Sequence, residues 1–288
     1  EFSQYDDRGY GFRIGINGAA SGVIYNRTLM NELGIEPLQQ YVDQDNWNWD
    51  TFMQIAKEAN RDTDNDGQLD RWGLATDSLL IQALASNEAN LVTEGKVMFE
   101  DPNTLEALNF ISTLATERIA RPTEGGDWTE PKQFFLEGNV LMFASHDYEM
   151  ENLRQDMPEI DLGFLPFPKG PNATGYHSHN TIPNYYTIPK SVDDPELLVY
   201  LWEKIHDIES IYDYPHQASF EKFFTTEEDI HNAQLAVESM KVIEQIDYYP
   251  NMPYYDFVDE LVNGVSVSTL IETYQAPFQA SVDEVWKP

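Results

Sequence analysis

Four carboxylates, two amides and one glycine crowd into the run Asp62-Thr63-Asp64-Asn65-Asp66-Gly67-Gln68-Leu69-Asp70. Carboxylates stand at loop positions 1, 3, 5 and 9. Gly67 takes position 6, where the backbone must turn sharply, and Gln68 at position 7 offers a carbonyl oxygen. A flexible cage of oxygens suits Ca2+, and without a cation the four charges would repel one another at close range. The expected ligands are Asp62, Asp64, Asp66, Gln68 and Asp70. A helix–loop–helix calcium sensor adds a bidentate glutamate at position 12, but Gly73 stands there, inside Arg71-Trp72-Gly73-Leu74, which reads as the start of a strand. The loop is therefore expected to be a structural staple and not a signalling switch. The alternative is a solvated acidic turn with no metal.

Other chemistry is weaker. Asp147, Glu149 and Glu151 could supply a carboxylate pair for glycoside hydrolysis, although a chain this rich in acids produces such pairs by chance. His177 and His179, two apart, could share a strand face and ligate a transition metal, but no third ligand stands nearby and a polar loop is the preferred reading. Around Ser21 the G-x-S-x-G spacing of a nucleophile elbow fails, because Ala20 occupies the serine position.

The 288 residues carry 17 Lys and Arg against 50 Asp and Glu, a formal net charge of −33, so phosphate backbones and anionic membrane surfaces are poor partners. A neutral ligand or a cation fits better. The absence of cysteine excludes disulfides, thiol nucleophiles and thiolate metal sites, and is compatible with a bacterial exterior. No apolar run approaches the roughly 20 residues of a membrane span, and no signal-peptide pattern opens the chain. Glu1-Phe2-Ser3 reads as a junction, with native sequence expected upstream.

The elements around these residues alternate between strand and helix. Tyr10 to Asn17 and Val23 to Asn26 read as strands, and Thr28 to Gly34 as a helix stopped by its glycine. A short amphipathic helix carries Phe52, Ile55, Ala56 and Ala59, with Asp50 or Thr51 as its expected cap, and delivers the chain into the acidic loop. Helices are expected after Asp77-Ser78, from Leu105 to Ala115 and from Lys132 to Leu136. Val140 to Ala144 then reads as a buried strand, with His146-Asp147-Tyr148 at its carboxyl end, where open α/β sheets hold ligands. Trp47 and Trp49 are expected to anchor the core. Further on, a strand from Leu162, a helix from Asp193 and a long helix from Glu227 to Ile246 are expected. Tyr248 to Tyr255 reads as an aromatic loop, and helices over 256–263 and 268–286 follow it.

Three stretches together carry a resemblance. They are Gly18 to Asn26 followed by Leu29-Met30-Asn31-Glu32-Leu33-Gly34-Ile35, Trp49-Asp50-Thr51-Phe52 with the aspartate loop running into Arg71-Trp72-Gly73-Leu74, and Phe134-Phe135-Leu136-Glu137-Gly138-Asn139-Val140-Leu141-Met142. In order and spacing they resemble the family 1 extracellular solute-binding proteins, the sugar-binding receptors of ABC importers. The resemblance covers roughly residues 10 to 205. It implies an α/β, periplasmic-binding-protein-like fold of type II, with two lobes joined by crossing strands and no catalysis. It further implies that most of the N-terminal lobe is missing, with residues 10–164 and 221–288 forming the C-terminal lobe and 165–220 the returning part of the N-terminal one.

The implied ligand is a carbohydrate or similar polar solute, and the implied partners are the permease subunits of the importer. The implied place is outside the cell, as a surface lipoprotein of a Gram-positive bacterium or a periplasmic protein. Sugars offer apolar faces and hydroxyl edges, so flat aromatics and carboxylates suit them. Tyr148 matches the family's aromatic after the strand, and Asp77 a cleft-facing position. Trp128, Tyr254 and Tyr255 are further ligand-binding candidates on loops.

Overall fold

The computed structural model describes residues 4–5, 8–9, 11, 19–76, 79–123, 129–180, 186–206, 217–243 and 249–286. The strand expected over 10–17 lies largely outside them. A small ribbon, β1 (Gln4–Tyr5) antiparallel to β2 (Arg8–Gly9), comes first. β3 (Ser21–Asn26) is buried along its whole length. Asn26 turns it into α1 (Arg27–Leu33) by accepting the Leu29 amide at 2.8 Å, and Gly34, at φ 70°, ends that helix. α2 (Gln39–Asp43) and α3 (Trp49–Ala59) follow. The cap of α3 is Asn48, not Asp50 or Thr51: the Asn48 side-chain oxygen accepts the Thr51 amide at 3.0 Å and the Thr51 hydroxyl at 3.2 Å.

Beyond the acidic loop come β4 (Trp72–Thr76), α4 (Leu79–Ser86), a two-residue hairpin of β5 (Val92–Thr93) and β6 (Lys96–Val97), α5 (Pro102–Thr116), α6 (Glu130–Leu136), β7 (Val140–His146), α7 (Glu149–Asp156) and β8 (Leu162–Pro166). The sheet runs β4-β7-β3-β8. β4 is parallel to β7, whereas β3 lies antiparallel to both of its neighbours, placing Ser21 opposite His146 and Ile24 opposite Phe143 and Phe164. The period of two then sorts side chains by layer. Val23, Tyr25, Met142, Ala144 and Leu165 join the core beneath α3, α4 and α5, and Ile24, Phe143 and Phe164 join the core beneath α6 and α7.

The remaining elements are β9 (Ser178–Asn180), α8 (Pro195–His206), α9 (Gln217–Phe223), α10 (Glu227–Glu238), β10 (Met240–Val242), α11 (Tyr254–Val262) and α12 (Val267–Val285). The long helix expected to run to Ile246 stops at Glu238. The backbone of Met240 to Val242 pairs in parallel with Ser178 to Asn180 instead, a long-range partner that local helical periodicity cannot register. α11 and α12 complete the larger core with Phe257, Leu261, Leu270, Phe278 and Val282, while α9 and α10 cover the smaller one with Phe220, Ala233 and Val237. No helix among the described residues is long and apolar enough to cross a membrane.

One polar knot ties the layers. Arg27 donates to the Asp229 carboxylate at 2.7 Å, to the Leu162 carbonyl at 2.9 Å and to the Tyr25 hydroxyl at 3.1 Å. Asp229 is 1% exposed and also accepts the Phe164 amide at 2.9 Å. A charge this buried is tolerated because its oxygens are filled.

Candidate functional site

β7 ends where three elements converge. Opposite His146 stands Ser21, the first residue of β3, and β9 brings Ser178 and His179 against the same point. The His179 amide donates to the Ser21 hydroxyl oxygen at 2.8 Å, and the Ser178 hydroxyl donates to the Ser21 carbonyl at 3.0 Å. The Asp147 amide donates to the Ala20 carbonyl at 3.0 Å, so the chain leaves the strand held to the sheet. Tyr148 follows at the head of α7, 45% exposed, with its ring lying almost flat on the His146 imidazole at 5.3 Å between centroids and 9° between planes. A half-exposed ring backed by a second ring is a ready surface for an apolar face.

Two titratable groups next to His146 are buried and perturbed. The Asp147 carboxyl is pushed up to about 7 by burial, against the pull of the Ala20 and Tyr148 backbone amides. His179 is pushed down to about 4, first by burial and then by the neighbouring His146. Its Nε2 is shielded from solvent and meets no hydrogen-bond partner among the described residues. His177 turns elsewhere, its Nε2 lying 2.9 Å from Glu88. The two histidines expected as a loop pair thus serve different neighbours, and one of them stands on a strand.

In the acidic loop, carboxylate oxygens of Asp62, Asp64 and Asp70 come within 4.8 Å of one another. The turn is built by these same carboxylates: Asp62 accepts the Asn65 amide at 2.7 Å and the Gly67 amide at 2.9 Å, and Asp64 accepts the Asp66 amide at 3.1 Å. Gly67 sits at φ 90° and Asn65 at φ 63°, conformations that glycine and asparagine bear most easily. Asp70 takes the Thr63 hydroxyl at 2.5 Å and the Thr63 amide at 2.6 Å, which holds its carboxyl below the usual range. Asp66 accepts the Gln68 amide at 2.7 Å within the same turn. Gly73, at position 12, lies in β4, where a Cβ would run into the Ala56 backbone of α3.

The other ligand candidates part company. Asp77 and Trp128 lie outside the described residues. Tyr254 and Tyr255 form the first turn of α11 and not a loop, meeting each other edge to face at 5.4 Å. Tyr254 packs against the larger core, while Tyr148 heads α7 over the smaller one, and Tyr255 is 71% exposed. Trp47 and Trp49 are core anchors, donating to the Pro166 carbonyl at 2.7 Å and the Ser86 hydroxyl at 3.1 Å. The carboxylates weighed for hydrolysis are engaged separately, Glu149 with Lys132 and Glu151 with Lys222, each at 2.6 Å.

After β8 the chain is clamped before it leaves the sheet. The Gly170 amide donates to the Ser86 carbonyl at 2.9 Å, and Glu88 accepts both the amide and the hydroxyl of Thr174, which brings its carboxyl down to about 2. α8 then presents Leu197, Leu198, Tyr200, Leu201 and Ile205, each close to half exposed or more. A shallow groove of about 350 Å³ runs along it, lined by Ile188, Pro195, Val199 and Tyr200 with Glu196 and Glu203. None of these residues belongs to the end of β7.

What sequence reasoning missed is the burial of the polar groups at the end of β7. His146 and Asp147 adjoin the tyrosine in sequence, so a buried strand ending in two titratable residues was the available signal. His179 was weighed only as a metal ligand beside His177, because β9 forms only by pairing with β10.

The family model for bacterial extracellular solute-binding proteins matches residues 2–203. Among solved structures, an ABC substrate-binding protein from Listeria monocytogenes in complex with cycloalternan superposes with a TM-score of 0.69 at 16% identity, covering 98% of this chain and 73% of that one. The cyclic alpha-maltosyl-1,6-maltose binding protein from Arthrobacter globiformis gives 0.70 at 14% identity, covering 98% and 74%. UspC from M. tuberculosis gives 0.67 at 17% identity, covering 97% and 77%. At these identities the likeness is one of fold. A comparison with curated protein sequences returns no match.

Proposed function

Because this chain belongs to the bacterial extracellular solute-binding proteins, we propose that it captures a carbohydrate on the Tyr148 ring for delivery to the permease subunits of an ABC importer. The family performs no chemistry on its ligands, so the carboxylates of α7 are read as surface ion pairs. The observation that carries the sugar reading is the half-exposed Tyr148 ring, backed by His146 at the carboxyl end of a fully buried strand. Support comes from neighbours of the same fold whose names include mannotriose, maltotriose and chitin oligosaccharide as ligands.

The test is a thermal-shift panel of maltotriose, mannotriose, chitotriose and D-tagatose, because a ligand that binds only the native state raises its melting point. One of them should shift the wild-type protein, and Tyr148→Ala should weaken that binding by about 1–3 kcal/mol, on the order of what an aromatic face contributes. Binding indifferent to Tyr148→Ala would make the ring a lid on the core. A panel without any shift would favour a surface interaction module.

Calcium is the second part of the reading. The donor set fits it, with Asp62, Asp64 and Asp70 already gathered and Asp66 and Gln68 within the same turn. The ion would neutralise the loop that joins α3 to β4 and so stiffen the sheet edge. Asp64→Ala combined with Asp66→Ala should abolish a calcium-dependent rise in melting temperature that EDTA reverses in the parent protein. A calcium response surviving both changes would remove the staple. Residues 165–220 are read as the returning part of a second lobe, with the exposed apolar face of α8 as the surface that lobe would cover.

A further inference from the structure

Two buried imidazoles meet where β9 docks on the sheet. They are His146, the last residue of β7, and His179, the middle residue of β9. The hydrogen bonds of the dock converge on Ser21: the Ser178 hydroxyl donates to its carbonyl at 3.0 Å and the His179 amide to its hydroxyl oxygen at 2.8 Å, while β10 follows by pairing in parallel with β9. Among the described residues, no free anion stands ready to balance a proton on His179. α4, which packs on β9, has no titratable residue from Leu79 to Ser86, and β3 offers Ser21. From β7 come His146, which opposes a second positive charge, and Asp147, which burial pushes up to about 7 and which is therefore itself protonated in acid. From β10, Lys241 stands in register with His179 and adds a positive charge. Glu88 keeps its charge, held down to about 2, but is taken by Thr174, His177 and Lys241.

We propose that this junction is an acid-sensitive latch: protonation of His179 releases β9 and β10 from the ends of β3 and β7, while the β4-β7-β3-β8 sheet stays formed. Burial sets the direction. His179 is pushed down to about 4 from its ordinary 6.5, first by burial and then by His146, so docking is complete above about pH 6.5 and weakens as pH falls toward 4. Asp147 has the opposite slope, but it remains with the sheet when β9 leaves, because its amide is held by the Ala20 carbonyl and β7 runs straight into α7. A member of an extracellular family meets the pH of its surroundings, and that is the variable such a latch reads.

Residue-resolved hydrogen exchange at pH 7.5 and 4.5, expressed as protection relative to the intrinsic chemical rate at each pH, measures the release. Protection of the Ser178 and His179 amides should fall on the order of fiftyfold at the lower pH, and that of Val23, Ile24 and Tyr25 in β3 should hold within about threefold. His179→Phe, which keeps a flat buried ring without an ionisable nitrogen, should abolish the fall, and Asp147→Asn should keep it. Equal protection of β9 at both pH values in the wild-type protein overturns the proposal, as does an undiminished fall in His179→Phe or one that vanishes in Asp147→Asn. Loss of protection in β3 as large as that in β9 is global acid unfolding and overturns it too. Should His179→Phe fail to fold, the His179 imidazole of the wild-type protein decides: it must titrate in step with the loss of β9 protection, and a midpoint near 6.5 with that protection intact overturns the latch.

Discussion

Asp147 and His179 are perturbed in opposite senses by the same cause, and their linkage to folding is opposed as well. Their ordinary values are 3.8 and 6.5, and the fold moves them to about 7 and about 4. Between about pH 4 and 6.5 the folded protein keeps a proton on Asp147 that the unfolded chain has released, so stability falls as pH rises. Over the same interval the unfolded chain holds a proton on His179 that the folded protein refuses, so stability rises with pH. The two slopes offset each other up to about pH 6.5. Asp147→Asn removes one of them. Its stability relative to wild type should grow as pH rises from 4 to 7, reaching roughly 2–4 kcal/mol at pH 8 by the conversion of about 1.4 kcal/mol per pH unit. Urea denaturation of both proteins at pH 4.5, 6 and 8 measures it, and a constant difference across the three would show that Asp147 is not desolvated. Legibility at this scale follows sequence distance. The acidic loop was readable because its four carboxylates fall within nine residues, and Tyr148 was singled out because a motif leads into it. The junction of His179 with Ser21 was not, since the two are 158 positions apart.

Among the elements, α1, β8 and α10 are joined by Arg27 and Asp229. The Arg27 side chain is 13% exposed and the Asp229 side chain 1%, and Asp229 also accepts the Phe164 amide of β8. Arg27→Met would strand a buried carboxylate, and the expected cost is about 3–5 kcal/mol in a denaturation experiment. A loss under 1 kcal/mol would mean that water reaches Asp229. α10 also shows where element reading failed. Its start at Glu227 was anticipated, and Thr226 caps it with a hydroxyl oxygen that accepts the Asp229 amide at 3.1 Å. Its end was not, because β10 exists only through β9. A different cause placed Tyr254 and Tyr255 in a loop: Pro253 precedes them and hides the helix that Phe257 and Leu261 pull onto the core. By contrast β3, β4, β7 and β8 were all anticipated, since strands buried on both faces write themselves as short apolar runs between glycine and polar residues.

For the whole molecule, the informative contrast lies between two kinds of apolar surface. Leu74, Leu141 and Leu165 are fully buried, whereas Leu197 and Leu201 on α8 are 51% and 47% exposed. Replacing both of these by glutamate should therefore change the melting temperature of this chain very little, within about 0.5 kcal/mol of stability, and should lower its tendency to self-associate in light scattering. A large destabilisation would show that α8 is packed against something in solution. Nearly the whole chain superposes on its structural neighbours, and about three quarters of each neighbour is matched.

The placement of β3 has a consequence in time. It is the first of the four sheet strands to be made and occupies an inner position, with Tyr25 waiting for Met142 on one side and Gly163 on the other. Until both have emerged, Val23-Ile24-Tyr25 is an unpaired, apolar, β-prone segment, and its pairings are among the most distant in the chain. Long-range pairing of this kind is slow to nucleate and leaves sticky strands exposed meanwhile. β3 thus stays unpaired until nearly three fifths of the chain has been made, so the central sheet closes late in synthesis.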